Sequence, residues 1–218
     1  MAWYPEATNK NIPPGTNDPP ITPRIIVVHT MAGSIEGADA HFRDGSGIEA
    51  HFGVAMDGRV WQWRDTARQA DAQAAGNDYC ISVETEDFGY PETRWSPVQF
   101  QRLVALVQWL GRTHAIPFRM VVSTADHGIG YHRQFASWNP NNHSCPGDTR
   151  LAQLEHELIP ALLEVPMSSA DAALLHQDHV IMLHGDATHA VSLDAIFDRL
   201  ASIEGKVELI IELLTPPA

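Results

Sequence analysis

The stretch Arg24-Ile25-Ile26-Val27-Val28-His29-Thr30 governs the reading of the whole chain. Four consecutive branched aliphatic residues suit a strand buried on both faces, as in a sheet with covering layers on either side. The run ends in a histidine and opens into Thr30-Met31-Ala32-Gly33-Ser34, a small-residue, loop-like segment. A histidine at the mouth of such a strand is rigidly held and keeps one ring nitrogen for a cleft, as a metal ligand must. Taken alone, a satisfied core histidine is the plainer reading. The decision rests on partners elsewhere in the chain.

Working outward, Ile35, Ala38, His41 and Phe42 recur at helical spacing and predict a short helix over Ser34–Asp44. Two β-like runs, Ile48–Met56 and Arg59–Trp63, flank Asp57-Gly58 and predict a hairpin. Residues 64–78 are polar and Ala-rich without a period, and read as a loop around the sheet edge. Ile81-Ser82-Val83-Glu84-Thr85-Glu86 predicts a strand whose alternation puts Glu84 opposite Ile81 and Val83. Glu86 shares the face of Glu84, and one of the two is expected to be merely solvated. Ser96-Pro97 starts the clearest helix, running to Ala115, with Phe100, Leu103, Val104, Val107, Leu110 and Gly111 on one face. Phe118–Ser123 reads as a further strand. The long irregular segment Thr124–Gly147 holds His127, His132, His143 and Cys145, and a loop of that length inside a domain is usually functional. Asp148–Leu163 returns as a helix with Leu151, Leu154, Leu158 and Leu162 facing in.

The chain divides into four segments. Residues 1–23 form an extended, proline-rich arm, and residues 24–165 the main domain. Residues 166–191 read as a linker with a short helix. Residues 192–214 carry a heptad seam of Leu193, Ile196, Leu200, Ile203, Val207, Ile210 and Leu214. A helix with that seam over 193–214 can fold back on the domain or zip with another copy, and a homo-oligomer is the expectation.

Composition excludes some classes of function. Fourteen Lys and Arg against 27 Asp and Glu give a formal net charge of −13, which speaks against a nucleic-acid surface built from clustered cations. No apolar run approaches the roughly 18 residues of a membrane span. The N-terminus Met1-Ala2-Trp3-Tyr4-Pro5-Glu6 lacks a basic n-region and an apolar h-region, so no Sec-type signal is expected. Two cysteines, Cys80 and Cys145, are too few for a disulfide framework. Twelve histidines are many, and invite a search for ligand sets.

That search brings together His29 at a strand end, His132 and Cys145 in the long segment, and Glu84 on a sheet face. Two histidines and a cysteine with an open fourth position make a catalytic zinc arrangement, and a nearby carboxylate can take a proton from water. His51 reads as structural, His41 and His114 as surface or packing residues, and Cys80 as a small hydrophobe.

The order of motifs carries a family resemblance. Val-Val-His-Thr, Ala-His-Phe-Gly-Val with its Asp-Gly turn, Ile-Ser-Val-Glu and His-Ser-Cys-Pro-Gly-Asp resemble the zinc-dependent type-2 N-acetylmuramoyl-L-alanine amidases. These include phage endolysins and share a fold with peptidoglycan recognition proteins. Gly130-Tyr131-His132 with a Trp-containing insert before Cys-Pro-Gly is most similar to endolysins of phages that infect actinobacteria. The resemblance implies an α/β fold, a central mixed sheet flanked by helices, with a Zn2+ cleft at one edge. It implies His29 and Cys145 as ligands, with His132 between them in the ligand order. The family places that histidine closer to the cysteine, so an insertion is implied, and His127 is the fallback. It implies Glu84 as general base and His143 as an oxyanion stabiliser, where the family often has Lys or Thr. The implied reaction is hydrolysis of the amide between N-acetylmuramic acid and L-alanine in cell-wall peptidoglycan. The implied setting is the host cytoplasm, then the wall after holin-mediated release.

Two departures stand out. A tyrosine often found before the hairpin histidine is Ala50 here. A Trp-His pair often found before the glutamate strand is replaced within Ala70-Asp71-Ala72-Gln73. The competing readings are a peptidoglycan-binding module that has lost catalysis, a zinc endopeptidase acting on the stem peptide, and an assembly protein working through its heptad tail.

Overall fold

In a computed structural model, residues 2–12, 18–90 and 92–163 are described. Six strands form one sheet: β1 (Thr8–Asn9), β2 (Ile25–Met31), β3 (Phe52–Val54), β4 (Val60–Gln62), β5 (Cys80–Glu86) and β6 (Gly128–Tyr131). Their order is β1-β4-β3-β5-β2-β6. The β3–β4 hairpin is antiparallel and every other pairing is parallel. The aliphatic run therefore lies inside the sheet, paired on one side with β5 and on the other with β6. Ile25, Ile26, Val27 and Val28 are all fully buried, as a strand covered on both faces requires.

Alternation along β2 and β5 separates two layers. Ile26, Val28, Ile81 and Val83 join the larger core with the apolar face of a long helix. Ile25, Val27 and Cys80 face the other way, toward Trp138. His29 and Glu84 share this second face by the same period-two logic, and they are register partners across β2 and β5. The site thus lies on the face away from the long helix.

Three helical segments brace the sheet. In α1 (Ile35–Phe42) the Ser34 hydroxyl accepts from the Gly37 N–H at 3.1 Å. In α2 (Pro97–His114) Ser96 caps the Gln99 N–H, Pro97 occupies the first turn, and Ala115 ends the helix in the left-handed conformation. Leu103, Leu106, Val107 and Leu110 form its buried face. The final segment runs as α3 (Asp148–Gln153), a wide π-type turn (Leu154–Leu158) and α4 (Ile159–Leu163). Leu154, Leu158 and Leu162 are buried as their spacing predicts.

The structure corrects the expected strand at Phe118–Ser123. Met120 makes an isolated bridge to Ile129, and the strand is instead β6, inside the segment expected to be irregular. Glycine explains both the pairing and its concealment. A Cβ on Gly128 would lie 2.4 Å from the Arg119 carbonyl oxygen, and one on Gly130 would lie 2.8 Å from Gln134 Oε1. Close approach to backbone demands glycine at position 128, while glycine is depleted in strands and hides the element.

The N-terminal arm is tied to the domain. β1 extends the sheet beside β4, Tyr4 is buried, and Arg64 bridges Asp18 at 3.0 Å and Glu49 at 2.7 Å. The expected linker over 166–191 and heptad helix over 192–214 lie outside the described residues. Among the described residues no helix is long and apolar enough to cross a membrane.

Candidate metal centre

The parallel pairing of β2 with β5 and β6 gathers chemistry at the C-terminal ends of all three strands. His29 is near the end of β2, Glu84 is beside it on β5, and His132 follows β6 directly. Cys145 arrives from the loop before α3, where the Thr30 N–H donates to its sulfur at 3.2 Å. One donor atom each from His29, His132 and Cys145 lies within 4.8 Å of the others. His127 precedes β6, next to the opposite end of β2, and is exposed. The structure therefore brings His132, not His127, to His29 and Cys145.

The donor set fits a tetrahedral zinc ion. Cys145 Sγ lies 3.7 Å from His29 Nδ1, where bonds to a shared tetrahedral zinc imply about 3.6 Å. Both rings are oriented alike. His29 Nε2–H donates to the Gln73 side-chain oxygen, and His132 Nε2–H donates to the Trp138 carbonyl at 3.2 Å. Each Nδ1 is left with a lone pair, the arrangement second-shell partners impose on ligating histidines. Burial holds both imidazoles below their usual pKa and so neutral at pH 7, and their mutual charge lowers His29 further. Burial and the neighbouring Glu84 push the Cys145 thiol upward. A cation is what would make this sulfur a thiolate.

Glu84 sits against the trio, its Oε1 3.6 Å from His29 Nδ1. Its Oε2 is buried with no hydrogen-bond partner among the described residues. Burial, and then the Asp87 charge, raise its pKa to about 8 despite the opposing pull of Arg150. With His29 neutral and Glu84 protonated, their approach at pH 7 is not an ion pair. An orphaned carboxyl oxygen beside three convergent donors marks a place built for a positive charge.

These groups line a cleft of about 410 Å³ that also includes Thr30, Asp87 and Asn139. His143 stands at its exposed rim, its ring stacked on that of His132 with centroids 6.1 Å apart. Asn139 clamps the His143 backbone through two bonds of 2.8 Å. His51 is fully buried between Ser82 and the Arg68 carbonyl, the structural place its sequence context suggests. Cys80 is buried, and His41 is exposed. Glu86 differs from expectation. It is buried and accepts the Ile35 N–H at 2.8 Å and the Met56 N–H at 2.7 Å, so neither glutamate of the pair is simply solvated.

Sequence reasoning missed Gln73 and Arg150. Fully buried Arg150 clamps the ends of β2 and β5 by donating to Thr30, Thr85 and the Glu86 carbonyl. A lone arginine in the first turn of an apolar helix was the available signal. Gln73 ends the stretch Ala70-Asp71-Ala72-Gln73, where the sequence departs from the resemblance.

The family signature of N-acetylmuramoyl-L-alanine amidase (Amidase_2) matches residues 18–148. No curated protein matches the chain. Among solved structures, PlyL is 20% identical with a TM-score of 0.54, covering 73% of this chain and 98% of its own. AmiA of Staphylococcus aureus, solved with its ligand, is 16% identical with a TM-score of 0.54, covering 74% of this chain and 84% of its own. The amidase LysC from Clostridium intestinale URNW is 18% identical with a TM-score of 0.50, covering 67% of this chain and 94% of its own. At these identities the structures speak for the fold, a mixed sheet with flanking helices. The signature spans more than half the chain and contains His29, Glu84, His132 and Cys145, so the chain belongs to the N-acetylmuramoyl-L-alanine amidases, which hydrolyse the bond between muramic acid and L-alanine in peptidoglycan.

Proposed function

We propose that this amidase is a zinc enzyme in which His29, His132 and Cys145 hold the metal and Glu84 moves the proton. The observation that carries the reading is the convergence of three donor atoms within 4.8 Å beside a buried, half-unpartnered carboxyl. When bound, zinc supplies Lewis acidity toward the amide carbonyl and the attacking water. Glu84 takes the proton from that water and delivers it to the departing L-alanine nitrogen. Burial raises the carboxyl of Glu84 in the absence of a cation, and a dication held beside it would draw it back toward the ionised form that can accept the proton. His143, at the rim, donates an N–H to the oxygen of the tetrahedral intermediate. The Thr30 N–H steadies the Cys145 sulfur.

The motif order supports a phage endolysin, and the Trp-containing insert before Cys-Pro-Gly supports a phage of an actinobacterial host. In that setting the protein accumulates in the host cytoplasm and reaches the wall after holin release. Self-association through 193–214 belongs to the same proposal.

Zinc content and mass spectrometry of wall digests, for the natural protein and Cys145→Ala, test it together. One zinc per chain, with new muramic lactyl ends and free L-alanine amines lost in Cys145→Ala, is the expected result. A metal-free protein that releases the same ends would sink the zinc assignment.

A further inference from the structure

Among the described residues Gln73 makes a single side-chain hydrogen bond, and it is to His29. Both residues are buried, and the bond joins positions 44 apart in sequence. The glutamine backbone is fixed on either side. Its N–H donates to Asn77 Oδ1 at 2.6 Å, and its carbonyl accepts the Gly76 N–H at 3.0 Å. The amide Nε2 is buried without a hydrogen-bond partner among the described residues. Burying half an amide unpaired is costly, and an apolar side chain of the same size would avoid that cost. The one side-chain atom of Gln73 that is engaged is the oxygen facing His29.

The surroundings of His29 show what the glutamine opposes. Its Nδ1 faces Cys145 Sγ at 3.7 Å and Glu84 Oε1 at 3.6 Å. Either of them, when ionised, would accept a hydrogen from Nδ1 and so favour the Nδ1–H form. An imidazole protonated at Nδ1 has no lone pair to offer on the cleft side. The Gln73 oxygen is an acceptor on the far side and draws the proton to Nε2. For His132 the Trp138 carbonyl does the same. The two orienting loops are joined by the Ala75 N–H, which donates to the Ser137 carbonyl at 3.3 Å.

We infer that Gln73 is a positioning residue that fixes His29 as its Nε2–H tautomer and so presents Nδ1 to the metal ion. This rests on the zinc reading above. It adds that a neutral side-chain amide determines which ring nitrogen of His29 faces the donor cluster.

The test uses the full chain, with Gln73→Met as an isosteric side chain lacking the acceptor and Gln73→Glu as one retaining it. Zinc affinity is read by competition with a chelator, thermal stability on metal-free protein, and the His29 tautomer from imidazole nitrogen shifts of the metal-free natural protein. The expected result is zinc binding about 10–100-fold weaker in Gln73→Met and within about threefold of natural in Gln73→Glu. Metal-free Gln73→Met should melt close to the natural protein, because the orphaned amide is exchanged for a buried His29 Nε2–H without its acceptor. His29 should carry its proton on Nε2. Natural-like zinc affinity in Gln73→Met, or a proton on His29 Nδ1, overturns the inference. A natural protein that takes up no zinc overturns the zinc reading instead, and the tautomer measurement then still decides what Gln73 does.

Discussion

Glu84 illustrates how much one residue's chemistry depends on its neighbours. It pairs in register with His29, and alternation alone places it on the face of the cleft. Glu86, two residues on, has the same parity, yet two backbone N–H groups occupy its carboxylate and leave it nothing to offer a substrate. Glu84→Gln keeps size and burial while removing the proton carrier. The expectation is a kcat about 10²–10⁴ lower, with KM and chelator-measured zinc affinity near natural values. A kcat within about tenfold of natural would remove Glu84 from the base role. His29 and Glu84 were legible because each lies in a strand whose local structure follows from pattern, and Cys145 because its Cys-Pro-Gly motif carries the resemblance. Gln73 and Arg150 were not, because their roles arise from contacts between distant segments that no local period encodes.

At the scale of elements, the order of strands and helices was readable and β6 was not. Branched aliphatics announce β2, Asp57-Gly58 announces the hairpin, and Ser96-Pro97 announces α2. Gly-Ile-Gly-Tyr announces nothing, because backbone crowding selects Gly128 against strand propensity. The consequence falls on the site, since β6 delivers His132. Gly128 has a φ of 154° and no room beside the Arg119 carbonyl. Gly128→Ala should cost about 2–3 kcal/mol in denaturant unfolding, from crowding plus backbone strain. Because β6 must shift to relieve the clash, zinc affinity should fall with it. Gly33→Ala, where nothing lies within 4 Å of the added carbon, should change stability by no more than about 0.5 kcal/mol. Equal behaviour of the two variants would mean that β6 is not held where the crowding places it.

For the whole molecule, acid stability depends on a histidine that the chemistry does not use. His51 joins the entry of the hairpin to β5 and to the loop that carries Gln73. Its Nδ1 accepts the Ser82 N–H at 3.1 Å and its Nε2–H donates to the Arg68 carbonyl at 2.9 Å. Protonation would place a hydrogen on Nδ1 facing the Ser82 N–H, so the fold accommodates the neutral ring. Burial is the larger cause and lowers its pKa from 6.5 to about 4. Between those values the unfolded chain binds more protons than the folded one, so stability rises with pH. The contribution is complete above 6.5 and is lost as pH falls toward 4, on the order of 3 kcal/mol in all. His51→Gln, which keeps a donor and an acceptor, should be less stable at pH 7 but show a shallower loss of unfolding free energy across that window. The difference between the two slopes isolates this group from carboxylates that both proteins share. Parallel curves from pH 7 to pH 4 would show that His51 is not held neutral, and would place the origin of acid sensitivity elsewhere in the fold.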